Sequence, residues 1–469
     1  MSAASALRRY GARTLVPVFL AAAAVTGGSS FEGEQVQAFG FAASAGVLAV
    51  LFGLGLGWIT GPVRSVLFFA LCLAMLGLAQ ITPLPLSVTS ALPDRDVAYS
   101  GLAALGHSAQ AFPVSLSPER TVGSLLAFLT PLAAFCLVAA LKWSRGAEML
   151  KWTIPLLGAA SALLGLAQVF LGDSPRLYLY ERTSEGLPAG FFANVNHQAS
   201  FLLMCLPFVA ALAGELRRDW DAGDAQVARA IVLAACGLLI IAGVFGAGSV
   251  AGYILLAPVS LLSVMLLGGG GRGAGSPMFG AALGVAIILF AGAFVFSSPV
   301  LEGIGVTSMD DSELSRIGIA RTSLQVLEQH WQAGTGLGSF AEVYHLYEDP
   351  ASVIYVYVAH VHNDYLEWMI ETGAAGSLLL GAFLVWFLAQ FIRVWTSSKA
   401  GAMGLRRAAS IACLVIALHS LVDYPLRTPT IAALGAMCLA LMVVPRKTRD
   451  GPPVMEAAGP AEALRSVTL

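Results

Sequence analysis

Apolar runs of membrane-crossing length recur along nearly the whole chain, and they leave room for few other architectures. A helix that crosses the hydrocarbon layer needs roughly 20 mainly apolar residues. About twelve such stretches are expected, at 14–30, 38–59, 64–84, 121–141, 150–171, 196–214, 229–247, 250–268, 278–297, 365–392, 408–424 and 429–445. Of the 469 residues, 57% are hydrophobic and 12% charged, and the mean hydropathy is +0.78. These values exclude a soluble globule and a disordered chain. The expected fold class is an all-α membrane protein of about twelve transmembrane helices, with a large loop between spans nine and ten. Residues 1–445 are expected to form the polytopic membrane domain, and the Gly/Pro/Ala-rich stretch 446–469 reads as a disordered cytoplasmic tail.

Charge placement orients this layout. With the amino terminus inside, 19 of the 26 Lys and Arg residues fall in cytoplasmic loops, as the positive-inside bias requires. The seven left outside are Arg95, Arg120, Arg176, Arg182, Arg316, Arg321 and Arg427. All four lysines lie inside, whereas all seven histidines lie outside or at the outer edge. Every outer cation is therefore an arginine. Guanidinium forks suit phosphate oxygens in a way that an ammonium does not, although a chain with few lysines would give the same pattern by composition. Arg8-Arg9 before an apolar run resembles a signal peptide, but the first span is expected to be retained.

Other classes are disfavoured. A net charge of -2 offers no basic face for nucleic acid. The six cysteines all sit in apolar runs without metal-ligand spacing and read as buried hydrophobes rather than disulfides. A transporter or flippase is the rival class. It would be expected to show paired halves and ionisable residues at mid-membrane, and neither stands out in the sequence.

Polarity concentrates in outer segments 85–120, 172–195 and 298–364, the last being the large loop. Its end reads His360-Val361-His362-Asn363-Asp364-Tyr365-Leu366-Glu367-Trp368, followed by Gly373 and Gly376. If a helix enters the membrane from residue 362, His362, Tyr365, Leu366 and Met369 share one face. Residues 311–331 read as an amphipathic helix on which Arg316 and Arg321, five apart, diverge by about 140°. At the entrance of the sixth span, Gly190-Phe191-Phe192-Ala193-Asn194-Val195-Asn196-His197 offers amides for sugar hydroxyls, or helix caps, with Asn196 as the cap. His419 and Asp423, four apart, are expected to pair. His345, Asp349, His360 and His362 have poor spacing for a metal site, so none is expected, and no cofactor is implied.

Several of these segments resemble one family. His362-Asn363, nine residues, then Gly373-Ala374-Ala375-Gly376 is similar to the signature of the O-antigen ligases and related polysaccharide polymerases. Gly334-Thr335-Gly336-Leu337-Gly338-Ser339-Phe340, the segment from Gly190 to His197 and His419-Ser420-Leu421-Val422-Asp423-Tyr424-Pro425 resemble it too.

The resemblance implies a glycosyltransferase of the bacterial inner membrane, working on the periplasmic face. Its partners would be a glycan donor on undecaprenyl pyrophosphate, an acceptor hydroxyl on lipid A core or a lipid-linked glycan, and the bilayer. By the same resemblance, His362 would activate the acceptor and Arg316 would hold the pyrophosphate. Arg321, Arg182, Asn194, Asn196, Asn363 and Asp364 are the candidate substrate-binding residues.

Overall fold

The computed structural model describes residues 12–30, 34–53, 55–106, 111–140, 143–171, 175–181, 184–221, 223–267, 312–350, 357–396 and 403–444. The expected ninth span at 278–297, the loop start at 298–311 and the expected tail at 446–469 lie outside these residues.

Helices dominate the fold. In chain order they are α1 (Ala12–Thr26), α2 (Glu34–Gly53), α3 (Gly61–Ile81), the short α4 (Leu86–Thr89), α5 (Arg95–Ala104), α6 (Pro118–Ala127), α7 (Leu129–Ala140) and α8 (Trp143–Phe170). They continue as α9 (Val195–Arg218), α10 (Asp224–Gly246), α11 (Val250–Leu267), α12 (Ser312–His330), α13 (Phe340–Tyr347), α14 (Asp364–Thr396), α15 (Met403–His419) and α16 (Pro429–Val443). β1 (Leu84–Pro85) pairs antiparallel with β2 (Ala111–Phe112), Leu84 opposite Phe112.

Seven described helical runs are long and apolar enough to cross a membrane: Gly61–Ile81, Pro118–Ala140, Glu148–Phe170, Val195–Arg218, Asp224–Gly246, Val250–Leu267 and Asp364–Thr396. Three shorter apolar helices, Thr14–Thr26, Gln37–Gly53 and Pro429–Val443, accompany them. The protein is thus mainly helical and multi-pass in character, as its apolar runs require.

Helix α9 sits at the centre. It packs against α8, α10, α11 and α15, and its residues are buried on several faces, including Phe201, Leu202, Leu203, Met204 and Phe208. A helix apolar all round belongs inside a bundle. Small residues let neighbouring backbones approach where α16 meets α7, with Ala133, Ala134, Ala433 and Gly435 all buried at these two helices.

A second, smaller core lies beneath α12 and α13. Val326, Phe340, Val343, Tyr344, Val361 and Ile370 pack together there, joining α12 and α13 to the first turns of α14. Each such side chain contributes about 1.5–3 kcal/mol by leaving water, so this cluster gives the residues just before α14 a firm floor.

Candidate active site

The start of α14 organises the site. Asn363 caps it, its Oδ1 accepting from the Leu366 amide at 3.0 Å, which satisfies one of the open N–H groups of the first turn. The helix therefore begins at Asp364 and not at 362, and His362 stands outside it. His362 has φ 59, a left-handed conformation uncommon for residues other than glycine.

Once α14 is formed, Asp364, Glu367 and Glu371 fall on one stripe at three- and four-residue spacing. All three are buried. Buried carboxylates need cations and donors, and Arg427 supplies them from the 3₁₀ turn Pro425–Arg427. Its Nη2 lies 3.0 Å from Glu367 Oε1 and 2.9 Å from Glu371 Oε2, and its Nε lies 3.8 Å from Asp364 Oδ1. Burial alone would lower the Arg427 pKa, but Glu367, Glu371 and Asp364 hold the guanidinium above its ordinary value. His360 Nδ1 bonds Glu367 Oε1 at 2.9 Å, and the Val361 amide donates to Glu367 Oε2 at 3.0 Å.

The turn after α15 is stitched to the same helix start. The Asp364 amide donates to Ser420 O at 3.0 Å, Ser420 Oγ donates to Asp364 Oδ2 at 2.8 Å and Asn363 Nδ2 donates to Leu421 O at 2.9 Å. Tyr365 OH donates to Ala417 O at 2.6 Å. Two segments nearly 60 residues apart in sequence thereby become one wall.

His362 lies where these segments meet. Its Nδ1 is 3.5 Å from Asp423 Oδ1, with His362 side-chain exposure 27% and Asp423 1%. The imidazole is thus accessible while the carboxylate behind it is not. The Tyr424 ring lies against three imidazoles, with centroids 4.3 Å from His360, 5.0 Å from His362 and 5.0 Å from His197.

The glycine cluster acts from the other side. α14 departs from helical geometry at Gly373 (φ 60, ψ -155). Against that break lies the loop Gly334–Gly338, whose Thr335 and Gly336 amides donate to Ile370 O and Glu371 O, both at 3.0 Å. Gln80 Nε2 also donates to Glu371 O, at 2.8 Å. A Cβ added to Gly373 would fall 2.5 Å from Gly334 N, and one added to Gly334 would fall 2.4 Å from Glu371 O. Only glycine permits this approach at positive φ. The break frees backbone carbonyls, and the glycine loop satisfies them.

The structure distributes the sequence candidates unequally. His362 stands at the mouth, and Asn363 and Asp364 are committed to the helix cap and to the Ser420 and Arg427 contacts. Asn194, rather than the expected Asn196, caps α9, its Oδ1 accepting from the Asn196 amide at 2.8 Å. Asn196 is half-buried on the first turn of α9. Arg321 is exposed on α12. Arg316 lies on the same helix, but its side chain lies outside the described residues, as does the whole of Arg182.

Other expectations need correction. The stripe of Tyr365, Leu366 and Met369 does not extend back to His362, because the Asn363 cap precedes the helix. His419 and Asp423 lie buried together, the Asp423 amide donating to His419 O at 3.0 Å, but His419 Nδ1 bonds Ser200 Oγ, while the Asp423 carboxylate faces His362 and, at 4.0 Å, His197. His345 bonds Glu348 at 2.8 Å. Among the described residues no group of three or more His, Cys, Asp or Glu is arranged to hold a metal ion.

Sequence reasoning passed over Glu367, Glu371 and Arg427 as a unit. The available signal was three acids at positions 364, 367 and 371 in the opening turns of an apolar helix, a pattern that demands a buried cation.

Fold and site together define a multi-helical membrane protein with a polar, ion-paired cluster at the head of one long helix. Residues 235–381 match the family model described as O-Antigen ligase. This match bears out the resemblance to the O-antigen ligase family read from the motifs. The match spans α10 to the middle of α14 and includes His362, Gly334 and Gly373, whereas Asp423, Arg427 and His197 lie beyond it. No match is found among curated proteins.

Proposed function

We propose that this protein transfers a glycan from undecaprenyl pyrophosphate to an acceptor sugar hydroxyl in cell-surface polysaccharide synthesis, as an O-antigen ligase or an exopolysaccharide polymerase. The single observation that carries this reading is His362, accessible at the head of α14 and backed by the buried carboxylate of Asp423. That arrangement suits a general base. Asp423 favours the tautomer with the proton on Nδ1, leaving Nε2 to accept the acceptor hydroxyl proton.

As the acceptor oxygen bonds to the anomeric carbon, its proton passes to His362 Nε2. The bond from that carbon to the pyrophosphate oxygen breaks, and both electrons leave with undecaprenyl pyrophosphate. Outer arginines, Arg316 first and then Arg321 and Arg182, neutralise the charge that develops on the leaving group. Arg427 is unsuited to this task because its donors face Glu367 and Glu371. Asn194, Asn196, Asn363 and Asp364 complete the proposed binding surface, with Asn196 the most available for a sugar hydroxyl. No cofactor takes part.

The proposed setting is the inner membrane, with about twelve spans, both termini cytoplasmic and residues 298–364 as a periplasmic loop. The split of basic residues supports that orientation. A transporter or flippase is the alternative. The gathering of buried carboxylates at the head of one helix, instead of along a mid-membrane path, favours transfer.

The test is direct. Purified protein in liposomes, given a lipid-linked glycan and an acceptor, should release undecaprenyl pyrophosphate in step with glycan transfer. His362→Ala should lower turnover about 10²- to 10⁴-fold while accumulating normally. Near-normal turnover of that variant would overturn the base assignment, and glycan translocation without release of the carrier would favour transport.

A further inference from the structure

Asp423 serves two imidazoles. His362 Nδ1 lies 3.5 Å from its Oδ1, and His197 Nε2, from the first turn of α9, lies 4.0 Å from the same oxygen. Unlike His362, His197 is closed off, with 2% of its side chain exposed. It cannot meet a substrate directly. Both His197 ring nitrogens and Asp423 Oδ2 are buried without a hydrogen-bond partner among the described residues. A buried polar group left unbonded is costly, so polar atoms gathered in this way at one point call for a function.

The surroundings limit what His197 can do. Asp423 Oδ1 already accepts from the Tyr424 amide at 2.9 Å. The ring of Tyr424 meets His197 edge-on at 5.0 Å and 82°, and the neighbouring His419 is engaged by Ser200 from the same face of α9. His197 is therefore held close to Asp423, in an orientation set by α9. Catalytic hydrogen bonds are often long before substrate binds and shorten in the productive complex.

We propose that His197 is a positioning residue for the candidate base, its Nε2–H closing onto Asp423 so that the carboxylate keeps His362 in the tautomer that accepts the acceptor proton. The inference rests on the transferase reading. It links α9, outside the matched family region, to the chemistry at α14.

The test uses the full-length protein in liposomes and compares His197→Gln with His197→Asn. A glutamine amide nitrogen reaches the place of Nε2, whereas an asparagine amide nitrogen reaches the place of Nδ1 and turns its donor away from Asp423. The Gln variant should keep kcat within about threefold, and the Asn variant should lose about tenfold in kcat with the donor KM unchanged. In an Asp423→Asn background the His197→Asn loss should vanish, because the two residues act as one unit.

A kcat for His197→Asn equal to wild type, or a loss fully additive with Asp423→Asn, would overturn the proposal. If the Gln variant fails to accumulate, the cycle built on His197→Asn decides alone. Should His362→Ala retain turnover, it is the base assignment that fails, and should the wild-type protein release no undecaprenyl pyrophosphate, it is the transferase reading. A dead His362→Ala beside an unaffected His197→Asn removes only the role of His197.

Discussion

Arg427 Nη2 donates to Glu371 Oε2 at 2.9 Å, joining the turn before α16 to the second turn of α14. Glu371 is fully buried and its other oxygen, Oε1, has no hydrogen-bond partner among the described residues. This contact, with those to Glu367 and Asp364, is the electrostatic fastening of the site.

Removing the cation should therefore be worse than removing the whole pair. Arg427→Ala strands three buried carboxylates, and loss of one partner from a buried ion pair costs about 3–5 kcal/mol. The double variant Arg427→Met/Glu371→Gln should recover part of that loss. Thermal unfolding in detergent, followed for both variants against wild type, checks the order.

The glycine contact predicts a local contrast. Gly334→Ala and Gly373→Ala each force a Cβ against backbone at positive φ, and each should destabilise by about 1–3 kcal/mol. Gly318→Ala on α12, with nothing within 4 Å of its added Cβ, should be neutral or stabilise by up to about 1 kcal/mol. Equal melting temperatures for all three variants would contradict the clamp.

A pH effect follows from His330. Its Nε2 bonds Asp94 at 2.9 Å, and Tyr347 OH donates to the same carboxylate oxygen at 2.6 Å. Burial lowers the His330 pKa more than Asp94 raises it. The unfolded chain therefore binds a proton at higher pH than the folded one. The contribution of His330 is complete well above its ordinary value of 6.5 and shrinks as pH falls through that value toward the lower folded one. His330→Gln, which keeps a donor but does not titrate, should flatten this part of the profile. Melting temperatures from pH 8 to pH 5, wild type minus variant, give the measurement.

The arginines of α12 separate by geometry. If Arg316 grips the pyrophosphate, Arg316→Lys should keep the charge yet restore little activity, because one ammonium lacks the bidentate fork. Arg321→Ala should be milder, its side chain lying about 140° round a straight helix. Turnover of both variants with the lipid-linked donor decides between them, and an essential Arg321 beside a dispensable Arg316 would move the pyrophosphate to the other face.

Hydropathy alone determined that this chain is a bundle of membrane helices, because a run of apolar residues can satisfy its backbone in lipid only by forming a helix or a closed barrel. The motif residues His362, Asn363, Gly373 and Gly376 were legible as a group for the same local reason: their spacing is a property of the chain. What each does was not. Asn363 proves to be a cap, and Gly373 is a break matched by Gly334, a partner that no local spacing specifies. Tertiary structure alone brought Arg427 to Glu367 and Glu371, and set Asp423 between His362 and His197. Those contacts join residues from α9, α14 and the turn beyond α15, and charge pairing across such distances depends on how helices pack, which sequence periodicity does not encode.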